Sequence, residues 1–378
     1  MINNLSYLIL LAVISFLLFI RKKLIAKDKK IMSIFVCICL ILFSGFRYQV
    51  GTDYAGYERM FDLIRLYGRY YNIEWGYYGL VKLCNQLGCT AQLVFLLFSI
   101  VTVYFVYRYI EYFSEDVELS WFIFVCIGPY YLNTFNGMRQ WLAIAVFAYS
   151  LRYVQEKSFW RYALLNCITG LFHFSSYLLL PLYFILKSDK FNMRKTLLCY
   201  VGLQLLTTLG VVNLLADILH ATSYLRGGSI LELDKTYYLF FAMSIACWVF
   251  SILSKEKDQA PVYFGRNETN QSSDHKTWVK HALTCPSGTI FESLNLLSCL
   301  TVFLAISSNG ISNMVFTRFN QYFFIGYLIL VPQIIGTFKK TRTMLTIGVY
   351  ILSLLYYLMI TSTASDLTPY RMNFNLFS

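Results

Sequence analysis

Residues 5–20, LSYLILLAVISFLLFI, carry no charge and run directly into residues 21–30, RKKLIAKDKK. A signal peptide places its positive charges before the apolar stretch, not after it. Here Arg21, Lys22, Lys23, Lys27, Lys29 and Lys30 all follow the stretch. It therefore reads as a first transmembrane helix with its N-terminus outside and its basic end in the cytoplasm. The rest of the 378 residues has the same character, 57% hydrophobic, 18% aromatic and only 14% charged, with a mean hydropathy of +0.54. Globular chains run about 45–50% apolar and about 25% charged. Length and composition together exclude an ordinary soluble enzyme, a disordered chain, a coiled coil and a disulfide scaffold.

Outward from that first helix, the apolar runs alternate. Ile31–Phe46 returns to the outside, and the polar, aromatic stretch Arg47–Thr90 stays there. Ala91–Ile110 goes in, Leu119–Phe135 out, Trp141–Val154 in, Thr196–Ala216 out, Tyr237–Leu253 in, Leu294–Ser308 out, Phe319–Phe338 in and Thr343–Thr361 out. Tyr162–Leu186 lies between two basic stretches that both belong to the cytoplasm, so it reads as two short helices turning at His173–Phe174–Ser175–Ser176. The expected fold is all-α: one polytopic integral membrane domain over residues 1–378, with about 11–12 helical segments at roughly 20 residues for a full span. Residues 47–90 form a long periplasmic loop of short interfacial helices. Residues 255–292 form a polar cytoplasmic connector.

The net charge of +12 would suit nucleic acid, but its distribution does not. On this topology 22 of the 32 basic residues face the cytoplasm, as translocation requires, and 15 of those are lysine. Of the ten outside, eight are arginine: Arg47, Arg59, Arg65, Arg69, Arg139, Arg226, Arg318 and Arg371. A guanidinium is a planar fork of donors matched to phosphate or carboxylate, which points to an anion handled on the outer face. Contact with lipid headgroups is the simpler reading of any one of them. Ionisable residues are scarce within the spans, which counts against an ion-coupled carrier. The ten cysteines lie mostly in apolar runs and no Cys/His spacing resembles a zinc site, so no metal or cofactor is implied.

Within the outer loop, Gly51–Thr52–Asp53 is a turn and helix-start signal. Tyr54, Tyr57, Phe61 and Ile64 follow at helical spacing. A second helix opens near Asn72, with Tyr77, Leu80, Val81, Cys84 and Leu87 on one face before Gly88. Eight tyrosines between Arg47 and Gly79 suit an interfacial belt or stacking on sugar rings. Asp53 and Glu74 can each take the proton of an attacking hydroxyl, or merely cap and favour a helix start. Arg139, just after Asn136–Gly137, and Arg318, just before Phe319–Phe338, each combine a guanidinium with a helix N-terminus, two features that favour an anion. His173 interrupts an apolar segment beside Ser175 and Ser176, either as a satisfied core residue or as a polar group lining a cavity.

These elements, in order, resemble the EpsG-like, Wzy-type polysaccharide polymerases of bacteria. The resemblance is carried by Phe46–Arg47–Tyr48–Gln49–Val50–Gly51–Thr52–Asp53–Tyr54 with Tyr57 and Phe61, by Glu74–Trp75–Gly76–Tyr77, and by Asn136–Gly137–Met138–Arg139–Gln140. Phe172–His173–Phe174–Ser175, Arg318 with Tyr322, and Pro369–Tyr370 complete it. It implies a multi-pass protein of the bacterial inner membrane, joining undecaprenyl-pyrophosphate-linked glycans (O-antigen or capsule repeat units) on the periplasmic side. It further implies Asp53, Glu74 or His173 as the base, and Arg47, Tyr54, Tyr57, Arg139, Arg318 and Tyr322 as substrate contacts. Membrane lipid and a Wzz-type chain-length regulator are the expected partners, with no nucleic acid. A flippase for the lipid-linked glycan is the alternative, and a His173-dependent acyltransferase a distant third.

Overall fold

The computed structural model describes residues 4–68, 73–127, 129–188, 191–218, 236–263, 282–364 and 366–377. The first eight helices are α1 (Leu5–Lys23), α2 (Ala26–Gly45), α3 (Tyr54–Tyr67), α4 (Trp75–Gln86), α5 (Ala91–Phe113), α6 (Val117–Cys126), α7 (Met138–Gln155) and α8 (Phe159–Gly170). They are followed by α9 (Leu182–Leu186), α10 (Met193–Thr208), α11 (Val211–Ile218), α12 (Thr236–Tyr263), α13 (Ile290–Ser307), α14 (Gly310–Phe324), α15 (Tyr327–Thr337) and α16 (Arg342–Thr363). Among the described residues there is no strand, only two isolated antiparallel bridges. The protein is an all-helical, polytopic membrane protein. By length and composition α1, α5, α13 and α16 can each cross a bilayer, and α14 with α15 can do so as one bent span.

The chain forms two compact units, Met1–Pro181 with Thr341–Ser378, and Leu182–Lys340. In the first, α1 packs on α2 and α6, α2 on α5, α5 on α7, α7 on α8, and α16 on α6. One end of this bundle is closed by an ion-pair knot. The buried Arg21 guanidinium of α1 donates to Glu111 of α5 at 2.9 Å, to Glu118 of α6 at 2.7 Å and to Ser33 of α2 at 2.8 Å. Sequence reading took Arg21 only as a side marker; the structure makes it the tie between four helices. Arg21 earns this place because its fork has enough donors for several acceptors, which keeps buried polar groups satisfied.

At the other end lie α3 and α4, both packed on α5. The expected faces are met closely: Tyr54, Tyr57, Phe61 and Ile64 of α3 and Tyr77, Val81 and Cys84 of α4 are buried together with Val94, Phe95 and Phe98 of α5. Leu87 does not join them; it lies beyond the end of α4 and is exposed. Residues 366–377 run across this end as a strap. Tyr48 N–H donates to Arg371 O at 2.9 Å, Gly51 N–H to Asp366 O at 2.9 Å, and Asn373 N–H to Phe46 O at 2.8 Å. Farther along, Thr90 donates to Leu376 O through its N–H and to Asn375 O through its hydroxyl, at 2.9 and 2.6 Å. One strap therefore pins both ends of the 47–90 loop. Tyr370 anchors it, stacked on Phe43 with ring centroids 4.0 Å apart.

Several expected spans are corrected. Leu119–Phe135 is not one helix: α6 stops at Cys126, just before Gly128–Pro129, and resumes only as a 3-10 turn, Leu132–Phe135. Proline lacks the N–H that would continue the ladder, and disfavours a helical residue before it. Thr196–Ala216 is divided between α10 and α11. Phe319–Phe338 is two helices, α14 and α15, bent by 50°. The Tyr162–Leu186 segment does reverse. Following α8, a 3-10 helix, Phe174–Leu179, runs back along it, and Tyr162 OH donates to Leu179 O at 2.7 Å.

In the second unit α12 packs on α13 and α15, and α13 on α14. Their contact is filled by a polar network. Tyr327 OH lies 2.6 Å from Ser244 Oγ and donates to Asn295 Oδ1 at 2.5 Å, while Ser298 and Thr301 both donate to Asn320 Oδ1 at 2.7 and 3.1 Å. Interhelical hydrogen bonds of this kind hold helices together where lipid removes the hydrophobic drive. Within the expected 255–292 connector, α12 continues to Tyr263, and residues 264–281 lie outside the described residues. Its two ends are tied by Lys255, which donates to Glu292 at 2.6 Å and to Pro286 O and Ser287 O at 2.9 and 3.0 Å.

Candidate active site

Three separate stretches meet on the first unit at the end that carries the strap. Glu74 immediately precedes α4, Arg139 stands in the first turn of α7, and His173 follows α8 at the reversal. Arg139 Nη1 pairs with Glu74 Oε2, and His173 Nδ1 lies 3.5 Å from Glu74 Oε1. The side chains of Glu74, Arg139 and His173 are 8%, 7% and 15% exposed, so the cluster is recessed but reachable through the imidazole. The Arg139 guanidinium is sandwiched near the rings of Tyr57 and Tyr77, 5.6 and 5.0 Å from their centroids. Cation–π contact of this kind fixes the fork in place.

The backbone that positions Glu74 leaves no choice at Gly76. Its N–H donates to Leu171 O at 2.8 Å, and a Cβ on it would lie 2.8 Å from that same oxygen. Only glycine allows the start of α4 to close on the end of α8, which brings Glu74 to His173. Trp75, next to Glu74 in sequence, is 81% exposed. An exposed indole is a flat apolar surface of the kind on which a sugar ring can stack.

Burial acts to raise the Glu74 carboxyl, but the neighbouring His173 imidazole and the charge of Arg139 outweigh it. The net effect holds Glu74 below its ordinary value. The acid is therefore an ionised carboxylate held between a guanidinium and an imidazole, an arrangement that can orient a proton acceptor.

Asp53 lies nearby, with a different task. Its carboxylate caps no group of its own helix; Oδ2 accepts from Gly137 N–H at 2.8 Å, at the start of α7. The N-terminus expected to hold a substrate anion beside Arg139 thus holds a carboxylate of the chain itself. Asn136 Nδ2 donates to Asp366 Oδ2 at 3.2 Å, so the strap joins the same turn. Gly51 completes it at φ +97°, where a Cβ would meet Asn136 Oδ1 at 2.7 Å.

Other expected substrate contacts are placed elsewhere. Arg47 is 2% exposed; it donates to Ser44 O at 2.6 Å and Phe135 O at 3.2 Å, and lies over the Phe95 and Phe135 rings. Two of its donors satisfy backbone carbonyls in the interior, while its buried Nε has no hydrogen-bond partner. Tyr54, stacked on Phe95 at 4.7 Å, and Tyr57 are core residues. Arg318 and Tyr322 belong to the second unit. Arg318 sits well inside α14, which begins at Gly310, so it does not stand at a helix start; Tyr322 is fully buried. Arg69 and Arg226 lie outside the described residues.

Sequence reasoning missed Gln92, whose buried amide donates to Gly45 O at 2.6 Å and Arg47 O at 3.2 Å, and accepts from Tyr54 OH at 3.4 Å. A glutamine opening an apolar span was the available signal. Asp366 was missed as well, and no local pattern marks it. Residues 30–372 match the EpsG family, nearly the full length. The chain belongs to the EpsG family. That membership makes it a polysaccharide-polymerase-like membrane protein. No curated protein and no solved structure matches it.

Proposed function

We propose that this EpsG-family protein is a Wzy-type polymerase that joins undecaprenyl-pyrophosphate-linked oligosaccharide repeat units on the periplasmic side of the bacterial inner membrane. The observation that carries this reading is the convergence of Glu74, Arg139 and His173 from three stretches far apart in sequence. Glycosyl transfer from a diphosphate needs a base for the acceptor hydroxyl, a preorganised charged environment and a surface for the sugar. The cluster supplies the first two and Trp75 the third. O-antigen and capsule repeats are both within this reading, as is a Wzz-type partner.

The test is the glycan of a deletion strain. A polymerase leaves single repeat units displayed, and re-expression restores the ladder of chain lengths. Complementation with Glu74→Gln at normal expression should leave single units. A deletion strain that accumulates untransported lipid-linked units inside would instead identify a flippase.

A further inference from the structure

We propose that Cys84 and Cys89 are the two halves of a disulfide that closes the end of α4, an inference that goes beyond the polymerase reading and rests on the outer placement of residues 47–90. The helix ends in a motif that brings a residue of the last turn against one beyond the cap. Gly88 takes φ +68°, the left-handed conformation that glycine permits. Its N–H donates to Asn85 O at 3.2 Å, and Cys89 N–H donates to Cys84 O at 2.9 Å. Standard bond lengths across that second hydrogen bond hold the two Cα atoms within about 7 Å of each other, and disulfides join Cα atoms about 4.4–6.8 Å apart. Side chains at these two positions of the motif commonly touch. Both cysteines are buried, and both belong to the cluster formed with Tyr77, Val81, Val94 and Phe95.

Burial lifts the Cys84 thiol above its ordinary value, and the adjoining Cys89 lifts it further. Of the ten cysteines, these are the two that fall within residues 47–90, and disulfides form and persist outside the reducing cytoplasm. In the structure both are free thiols. The oxidant is a disulfide-bearing protein of the outer compartment. While the end of α4 is open, the thiolate of one cysteine attacks the oxidant's disulfide, forming a mixed disulfide and expelling one oxidant sulfur as a thiolate. The other cysteine then attacks the linked sulfur of this chain; the Cys84–Cys89 bond forms and the mixed bond breaks. The oxidant departs as a dithiol, having gained two electrons and two protons from the pair. The strap afterwards covers the link: Cys89 bridges to Phe377, and Thr90 N–H beside it donates to Leu376 O. The disulfide thus ties the last turn of the helix that Glu74 precedes to the residue from which α5 sets out.

The experiment reads the pair in cells making the full chain. Cells are quenched in acid, free thiols are blocked with N-ethylmaleimide in denaturant, and disulfides are then reduced and labelled with iodoacetamide. Trypsin releases residues 83–108, a peptide bounded by Lys82 and Arg108 that holds Cys84, Cys89 and no other cysteine. Iodoacetamide on both cysteines is the expected result. Without reductant, the same peptide should be lighter by two hydrogen atoms than its reduced form. Cys89→Ser should leave Cys84 open to N-ethylmaleimide, and Cys84→Ser should do the same for Cys89; iodoacetamide on the remaining cysteine would mean bonds to other thiols and would overturn the internal link. N-ethylmaleimide on both cysteines of the unaltered chain would overturn it as well. Arg59→Cys, treated with an impermeant maleimide in spheroplasts of the same strain, tells two failures apart. A reduced pair beside a labelled Arg59→Cys sinks the disulfide alone. A reduced pair beside an Arg59→Cys that labels only after permeabilisation sinks the outer placement too.

Discussion

At the scale of single residues, the site depends on one acid compensated from two sides. Because the folded environment lowers the Glu74 value, its contribution to stability is complete above the ordinary carboxylate value, near 4.5, and is lost as pH falls through the lowered folded value. The unaltered protein should therefore lose thermal stability as acid is added below about that pH, while Glu74→Gln, tested in the same detergent, should show a flatter profile. Removing the guanidinium is a harsher change. Arg139→Ala strands a buried carboxylate, at a cost of about 3–5 kcal/mol. The same substitution in a Glu74→Gln background should cost much less, and a melting-temperature cycle over the four proteins measures the difference. Arg47→Ala should behave otherwise again, lowering thermal stability through two orphaned carbonyls, Ser44 O and Phe135 O, each worth about 1–3 kcal/mol.

At the scale of elements, the outer loop is a packed part of the fold, closed by the strap over residues 366–377. Deleting residues 367–377 removes the bonds to Phe46, Tyr48 and Thr90. The expected outcome is a protein that still inserts but whose 47–90 segment is cut rapidly by added protease, with loss of polymer; equal protease resistance would deny the strap this role. What could be read in advance follows from range. The faces of α3 and α4 were legible because Tyr54, Tyr57, Phe61 and Ile64 recur at a local period, and the reversal at His173 because charge on both sides favoured it over a single crossing. The strap was not legible, since its partners are remote and backbone bonds leave no trace in side-chain pattern. Nor was the fate of Arg47: an arginine after a span looks the same whether it faces water or donates inward to carbonyls. Glu74, Arg139 and His173 were each visible as candidates, but only their meeting showed that one neutralises another.

At the scale of the whole molecule, the alternation of sides derived from charge agrees with which helix ends are bonded to each other within the first unit. Arg21, Ser33, Glu111 and Glu118, at ends assigned to the cytoplasm, meet in one knot, while Gly51, Gly137, Gly76, Leu171 and Asp366 gather at the opposite end. With the exposed Cys199 replaced by serine, Arg59→Cys should react with an impermeant maleimide in intact spheroplasts, and Lys23→Cys only after permeabilisation. The reverse pattern would invert the topology and put the site on the cytoplasmic side. The strap also bears on biogenesis. Thr90 and the Asn375 carbonyl it binds are 285 residues apart, so a ribosome has long delivered the outer loop before the clasp that fastens it emerges. A nascent chain therefore holds the 47–90 loop unfastened throughout insertion, and Glu74 and Asp53 gain their final framework only once the late segment has folded back over it.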